Sequence, residues 1–267
     1  MWAGAYRPPM RQAHALQPAA KAASVRPFPW LTYWVLCLLA LAQPAFSANA
    51  PTLAPVNSRD LLSGDAAAFA RLLENARPAP VSPEEKARIL KSLPEEGEVT
   101  DLDPATMHKL ASVQQVLRTA AGGDTVYEMK VIDVAQAAVA LHARAVLLIS
   151  KPALDLLGAD ELQALAAHEL GHEYVWVEYD RASKVGNYQR RKELELLCDA
   201  IGIVILHQLG MNTSRLMAGV EKISRFNRER FGTALNENAY PTVSQRRQFG
   251  RAVGEWAAGA DRGKSRR

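Results

Sequence analysis

The spacing of apolar residues along the first part of the chain predicts three helices. Leucine and phenylalanine recur at helical intervals over residues 60–75, and prolines end that stretch. A second helix is expected to begin after Ser82, a good N-cap followed by proline, and to run to about residue 93. A third is expected over residues 103–121, where a glycine pair ends it. None of the three carries a catalytic signature, so packing or regulation is their expected role.

The pattern then becomes strand-like and afterwards helical again. Residues 126–134 alternate in polarity and residues 145–150 are continuously apolar, as in β-strands. Four helical stretches follow, at residues 159–181, 188–209, 212–231 (beginning at Asn212 or Thr213) and 242–258. The expected class is therefore α+β, mostly helical, with a small β-sheet.

Residues 1–48 have the layout of a secretory signal. They contain basic residues and no acid, an apolar run at residues 30–42, and small residues that offer a cleavage site after Ser47. The run is short for a bilayer span, and an uncleaved leader that anchors the protein in the membrane is the alternative. We therefore expect an exported protein, periplasmic or secreted. Cleavage would remove Cys37 and leave Cys198 without a disulfide partner.

The charge of the chain adds little once the leader is set aside. The formal net charge is +4, and the leader contributes four basic residues without an acid. The remainder is close to neutral, which does not favour a nucleic-acid partner. A short basic tail at residues 257–267 is expected to be disordered. The hydrophobic fraction of 48% is enough for a packed core.

The strongest chemical signal is the run His168-Glu169-Leu170-Gly171-His172. Histidines four residues apart lie on one face of a helix, where two imidazoles can converge on a zinc ion. Glu169 lies about a hundred degrees round the helix, beside the expected position of a metal-bound water. It is the expected general base. A glycine inside this helix suggests that another element packs closely against it.

A catalytic zinc needs a third protein ligand, and the next predicted helix offers Glu195. Asp199 lies one turn later at the edge of an apolar segment, where a carboxylate needs a partner. We expect Asp199 to accept the second ring N–H of a ligating histidine, His168 being the favoured one. The alternative is that Glu195 pairs with Arg191 or Lys192 on a solvated face.

These motifs resemble the M48 family of gluzincin zinc metallopeptidases. That family carries a His-Glu-x-x-His helix, a Glu-x-x-x-Asp helix, and a later His-Pro with an arginine six residues after the histidine. Here Tyr240 precedes the proline in place of the histidine, and Arg246 follows at the matching distance. The resemblance implies a zincin-like domain over residues 125–256, with its sheet beside the His-Glu-x-x-His helix. Residues 49–124, a linker and helices, have no match.

The resemblance also implies catalytic roles for Tyr240 and Arg246. A phenol could donate a hydrogen bond to an oxyanion, but the replacement of histidine leaves open that the position has lost its role. For Arg246 the alternative is a surface arginine in a basic helix.

The expected activity is zinc-dependent hydrolysis of peptide bonds, with one Zn²⁺ per chain and a polypeptide as substrate. The resemblance suggests unfolded or misassembled envelope proteins, which would add as an extended strand to the sheet edge along residues 145–150. The rival hypothesis is a metal-bearing chaperone or assembly factor of the cell envelope with little proteolytic activity. It rests on the Tyr240 replacement, and Glu169 argues against it because a pure binder needs no base.

The other histidines and the aromatic residues near the motif are expected to be structural. His108, His142 and His207 have no second ligand at useful spacing and are expected to be ordinary helix or surface residues. Tyr174, Trp176 and Tyr179 follow on the motif helix; they could line a cleft, but core packing or exposure at the surface is the favoured role for them.

Overall fold

The computed structural model describes residues 80–93, 97–121, 127–232 and 240–264, with the backbone alone at Ala121 and residues 260–264. The expected leader at residues 1–48 and the expected helix at residues 60–75 lie outside the described residues. Within the described part of the chain, no helix is both long and apolar enough to cross a membrane.

Two helices precede the sheet. Helix α1 spans Pro83–Ser92, and the Ser82 side chain caps it by accepting from the Glu85 backbone N–H at 3.2 Å. Helix α2 spans Pro104–Ala121. Both follow the sequence prediction closely because their start signals are local. Lys109 ties α2 to the following structure by donating to two backbone carbonyl oxygens, those of Leu154 and Leu157.

The sheet has three strands, β1 (Glu128–Ile132), β2 (Val139–His142) and β3 (Val146–Ser150), in the order β1-β3-β2. Strand β3 is parallel to β1 and antiparallel to β2. It is buried along its whole length, as its continuous apolar run predicted. The sequence prediction missed β2. Its hairpin turn uses Ala143 and Arg144, both with positive φ, so no glycine or asparagine marks the turn.

Five further helices are described: α3 (Lys151–Leu156), α4 (Ala159–Lys184), α5 (Tyr188–Gln208), α6 (Ser214–Phe231) and α7 (Val243–Lys264). The short α3 was not predicted; Ser150 caps it by accepting from the Ala153 N–H. Helix α7 continues to Lys264 rather than ending near residue 258. That part of the expected disordered tail is therefore helical, and the burial of Ala257 shows that packing extends into it.

The core lies on both faces of the sheet. The larger cluster combines one sheet face with α2 and the α4–α5 pair, and includes Leu117, Leu147, Leu165 and Ile201. The smaller cluster packs Ile89 of α1 against the other face. Since α2 shares the main core, the segment before the sheet and the segment after it form one packed body. The protein is mostly helical with a small three-stranded sheet, which confirms the α+β class in its coarse form.

Candidate metal centre

Two glycines let α4 and α5 approach each other closely at the centre of the core. A Cβ atom on Gly171 would lie 2.7 Å from the Cα atom of Cys198 on α5. A Cβ atom on Gly202 of α5 would lie 3.0 Å from the Cα atom of His168. Distances this short leave no room for a side chain at either position. The close approach expected at Gly171 is present, and Gly202 supplies the reciprocal contact, which the sequence analysis did not identify.

This approach brings Glu195 to both histidines of the motif. The rings of His168 and His172 are 5.2 Å apart between centroids and nearly perpendicular. Glu195 Oε2 lies 3.6 Å from Nε2 of His168, and Oε1 lies 3.9 Å from Nε2 of His172. Glu195 is 2% exposed, so the alternative of a solvated pair with Arg191 or Lys192 is wrong.

Glu169 borders the same histidine pair from its own helix. One ligand atom each from His168, Glu169 and His172 can be chosen so that all three lie within 4.8 Å of one another. Glu169 Oε2 accepts from the backbone N–H of Leu141 at 2.9 Å, and its other oxygen has no hydrogen-bond partner among the described residues. Among the described residues, Glu169 is the acid that meets this criterion with one oxygen. Glu195 approaches the two histidines through different oxygens, Oε2 and Oε1.

Asp199 and Arg246 lie behind the histidine and glutamate side chains. Asp199 Oδ1 is 2.8 Å from Nδ1 of His168, the ring nitrogen remote from Glu195. Arg246 donates to Oδ1 of Asp199 at 2.7 Å and to Oε2 of Glu195 at 2.8 Å. Arg246 is 6% exposed, which contradicts the surface-arginine alternative. Its contacts are with two buried carboxylates, so it can hold both of them in position.

Carboxylates are concentrated in this cluster. Three that are buried, those of Glu169, Glu195 and Asp199, lie close to the buried guanidinium of Arg246. Burial alone would lower the pKa of the His168 ring, yet the adjacent Asp199 and Glu195 carboxylates raise it to about 10. Burial opposes ionisation of Glu195, but the neighbouring His168, His172 and Arg246 hold its pKa below the ordinary value. The cluster therefore attracts positive charge.

Tyr179 is a member of the cluster that the sequence analysis assigned to packing or surface. Its hydroxyl donates to Glu195 Oε1 at 2.8 Å, and its ring lies edge-on to His172 with 5.0 Å between centroids. Burial and the charge of Glu195 raise the pKa of Tyr179, so it stays a donor. The signal that could have identified it is its spacing: Tyr179 lies two helical turns after His172, on the same face.

Tyr240 lies beside this group, at the entry to α7. The guanidinium of Arg191 lies 5.3 Å from the ring centroid of Tyr179 and 5.8 Å from that of Tyr240. Burial and the charge of Glu195 raise the pKa of Tyr240 to about 12. Tyr240 is therefore a neutral phenol close to the cluster, and its side chain contacts those of Arg191 and Tyr179.

The strand edge that faces the cluster belongs to β2. Strand β3 is paired on both sides, so the expected addition of a peptide along residues 145–150 is wrong. The outer side of β1 is partly covered by an antiparallel bridge from Glu98 to Ile132. Strand β2 forms the other edge, and the Leu141 N–H on that edge points toward Glu169.

Two other histidines of the described residues, His108 and His142, are not part of the cluster. His108 is exposed on α2, as expected. His142 is a strand residue of β2, 3% exposed, opposite Val146 and thus on the sheet face that packs against α1. It is neither the helix residue nor the surface residue that was expected.

Two imidazoles, two carboxylates from different helices and the edge strand β2 thus converge within one small region. Such a donor set can bind a divalent cation and carry out proton transfer beside it. Comparison of the chain with protein-family models, with curated proteins and with solved structures finds no match.

Proposed function

We propose that the protein is a zinc metallopeptidase in which His168, His172 and Glu195 bind the metal and Glu169 is the general base. The observation that carries this proposal is the position of the buried Glu195 carboxylate, 3.6 Å and 3.9 Å from the Nε2 atoms of the two histidines. Zinc binds nitrogen and oxygen ligands at about 2.0–2.2 Å, so donor atoms this close to one another suit a single ion.

The chemistry of the donor set fits zinc in two further respects. Three buried carboxylates surround the two histidines, and their negative charge would stabilise a divalent cation. His168 meets Asp199 through Nδ1, which leaves Nε2 as the nitrogen that faces Glu195. A carboxylate behind a ligating histidine is the common arrangement at protein zinc sites.

Glu195 is the better ligand and Glu169 the better base because their surroundings differ. Arg246 and Tyr179 hold the two oxygens of Glu195 in place. Glu169 is held by one backbone N–H through Oε2, so its other oxygen is available to take and return a proton. Bound zinc would lower the pKa of its water toward about 7 and polarise the peptide carbonyl.

The substrate that the fold favours is an extended polypeptide. Strand β2 offers an edge next to Glu169, and main-chain pairing along such an edge binds peptides with little regard to sequence. Unfolded or misassembled proteins would then be cleaved more readily than folded ones. The resemblance to M48 peptidases, and with it a zincin-like fold and a role in the cell envelope after export, is part of the same proposal.

The proposal is tested with purified protein loaded with zinc, beside the Glu169→Gln variant. Wild type should cleave an unfolded substrate such as casein, lose activity to a chelator and regain it with zinc. Glu169→Gln should retain one zinc per chain and lose activity by at least about a hundredfold. Full cleavage by zinc-loaded Glu169→Gln would overturn the mechanism. Absence of cleavage by zinc-loaded wild type would favour the chaperone hypothesis.

A further inference from the structure

One half-buried arginine, unlike its neighbours, has no carboxylate partner among the described residues. Four arginines of the described residues are buried or half-buried: Arg144, Arg190, Arg191 and Arg246. Arg144 pairs with Glu173, Arg190 with Glu178 and Glu193, and Arg246 with Glu195 and Asp199. Arg191 forms no ion pair within the described ranges, and its Nε is buried without a hydrogen-bond partner. A cation withdrawn from water normally has an anion beside it.

Arg191 lies directly beside the proposed metal ligands. It precedes Glu195 by one turn of α5 and therefore shares its face of the helix. Its Nη2 donates to the Tyr179 hydroxyl at 3.2 Å, and that hydroxyl donates to Glu195 Oε1. The guanidinium is thus two hydrogen bonds away from a ligand carboxylate.

The surroundings of Arg191 can admit a ligand. Arg191, Tyr179, Tyr240 and His172 are each only partly buried, so each keeps some contact with solvent. The guanidinium lies near the rings of Tyr179 and Tyr240, which keep it partly desolvated. A carboxylate that reaches a partly desolvated arginine binds more strongly than one that meets an arginine in free solution.

We infer that Arg191 is a carboxylate-binding subsite beside the metal centre, occupied by a carboxylate of the substrate peptide. The carboxylate belongs either to the C-terminus of the peptide or to an acidic side chain near the scissile bond. The inference rests on the proposed peptidase function, since it names a feature of that substrate. Tyr240 and Tyr179 form the aromatic walls of the subsite.

A purely structural role for Arg191 makes a different prediction. If the guanidinium only steadied Tyr179, its replacement would weaken metal binding and affect all peptides equally. A subsite instead distinguishes peptides by charge. The test therefore compares matched peptides that differ in one charge, on variants whose zinc content is measured beforehand.

The first measurement is peptide binding to zinc-loaded Glu169→Gln protein, where cleavage does not interfere. Fluorescent peptides are compared as free acid against C-terminal amide, and with glutamate against glutamine near the centre. The free acid or the glutamate peptide should bind at least about tenfold more tightly than its neutral partner, because charge-assisted hydrogen bonds contribute that much. Which pair shows the difference identifies the source of the carboxylate.

Adding Arg191→Gln should abolish the difference between the charged and neutral peptides while the neutral peptide binds as before. Arg190→Gln is the matched control, because Arg190 is adjacent in sequence and already paired with Glu178 and Glu193. It should leave the charge preference intact. Tyr179→Phe tests the structural role separately from the binding role. This variant should bind zinc more weakly and still prefer the charged peptide over its neutral partner.

Equal binding of charged and neutral peptides to the protein that retains Arg191 would overturn the subsite. So would a charge preference that survives Arg191→Gln, because the carboxylate would then be bound elsewhere, for example by zinc. Failure of the peptidase proposal has a different signature. In that case wild type would bind the charged peptide in an Arg191-dependent way and cleave none of the peptides.

Discussion

Helix α4 carries two buried glutamates one turn apart, and their surroundings differ. Glu169 and Glu173 are each 8% exposed, and both reach the β2–β3 hairpin. Glu173 meets one arginine, Arg144, at 2.7 Å, with burial raising its pKa. Glu169 instead lies beside two histidines and two further buried carboxylates, those of Glu195 and Asp199. Burial of an acid is therefore common to both positions, and what distinguishes Glu169 is the group of possible metal ligands around it.

Arg144 also explains how Glu173 contributes to the fold. Ala143 and Arg144 adopt the left-handed backbone conformation, which costs energy for residues with a side chain. The ion pair between Arg144 and Glu173 holds this turn against α4. The pair thereby helps to place β2 beside Glu169.

Glutamine in place of Glu195, the proposed ligand beside Glu169, and in place of Glu173 should separate the two roles most clearly. Glu195→Gln should lower zinc affinity by more than about a hundredfold, since it removes a ligand and not only an outer partner. Glu173→Gln should keep one zinc per chain and lose about 1–3 kcal/mol of unfolding free energy. Zinc titration against a chelator and denaturant unfolding measure the two effects. Equal zinc affinity in Glu195→Gln and wild type would remove the basis for the distinction.

The glycine contacts between α4 and α5 should have the next largest effect. Gly171→Ala would place a methyl group 2.7 Å from the Cα atom of Cys198, so the helices must move apart. We expect a loss of about 1–3 kcal/mol of stability together with weaker zinc binding, because Glu195 moves with α5. Gly259→Ala is the control, since nothing lies within 4 Å of its added Cβ. Unchanged stability and zinc affinity in Gly171→Ala would contradict the close-packing account.

Removal of the Tyr179 hydroxyl should act on the metal without removing a ligand. Tyr179→Phe keeps the ring against His172 and deletes the hydrogen bond to Glu195. We expect zinc affinity to fall about tenfold, the lower end of the range for outer partners of a metal site. Tyr188→Phe, at a position 47% exposed on α5, should leave zinc affinity unchanged. An equal fall in both variants would argue against a specific role of Tyr179.

The smallest expected effect is at Glu161, a third acid of α4, whose charge is balanced. Burial opposes its ionisation, yet the Lys222 ammonium and the Gly158 N–H lower its pKa. Because the pKa is lower in the folded state, this stabilisation is present above the ordinary value of 4.5 and is lost as pH falls below it. Glu161→Gln should cost less than about 1 kcal/mol at pH 7. The unfolding free energies of wild type and Glu161→Gln should therefore approach each other as the pH falls from 7 to 4. A difference between them that grows in acid would contradict the direction of the pKa shift.

The sequence predicted the elements of the site better than their contacts. The spacing of His168 and His172 and the cap at Ser82 are local features, and both appear in the structure as expected. The pairing of Asp199 with His168 was expected from chemistry, and the two side chains lie 2.8 Å apart. Strand β2 was missed because its turn residues carry no turn signature. Because the prediction lacked β2, it placed β3 at the edge of the sheet. Which strand lies at an edge depends on the strand order.

By itself, the sequence determined that two imidazoles and an acid share one stretch of helix, since side-chain spacing along a helix depends on local geometry alone. The tertiary structure decided which other groups join them. Arg246 comes from α7, Glu195 is held by Tyr179, and Arg191 forms no ion pair with any other described residue. Those relations arise from the packing of helices that are distant in the chain, and no local pattern encodes them.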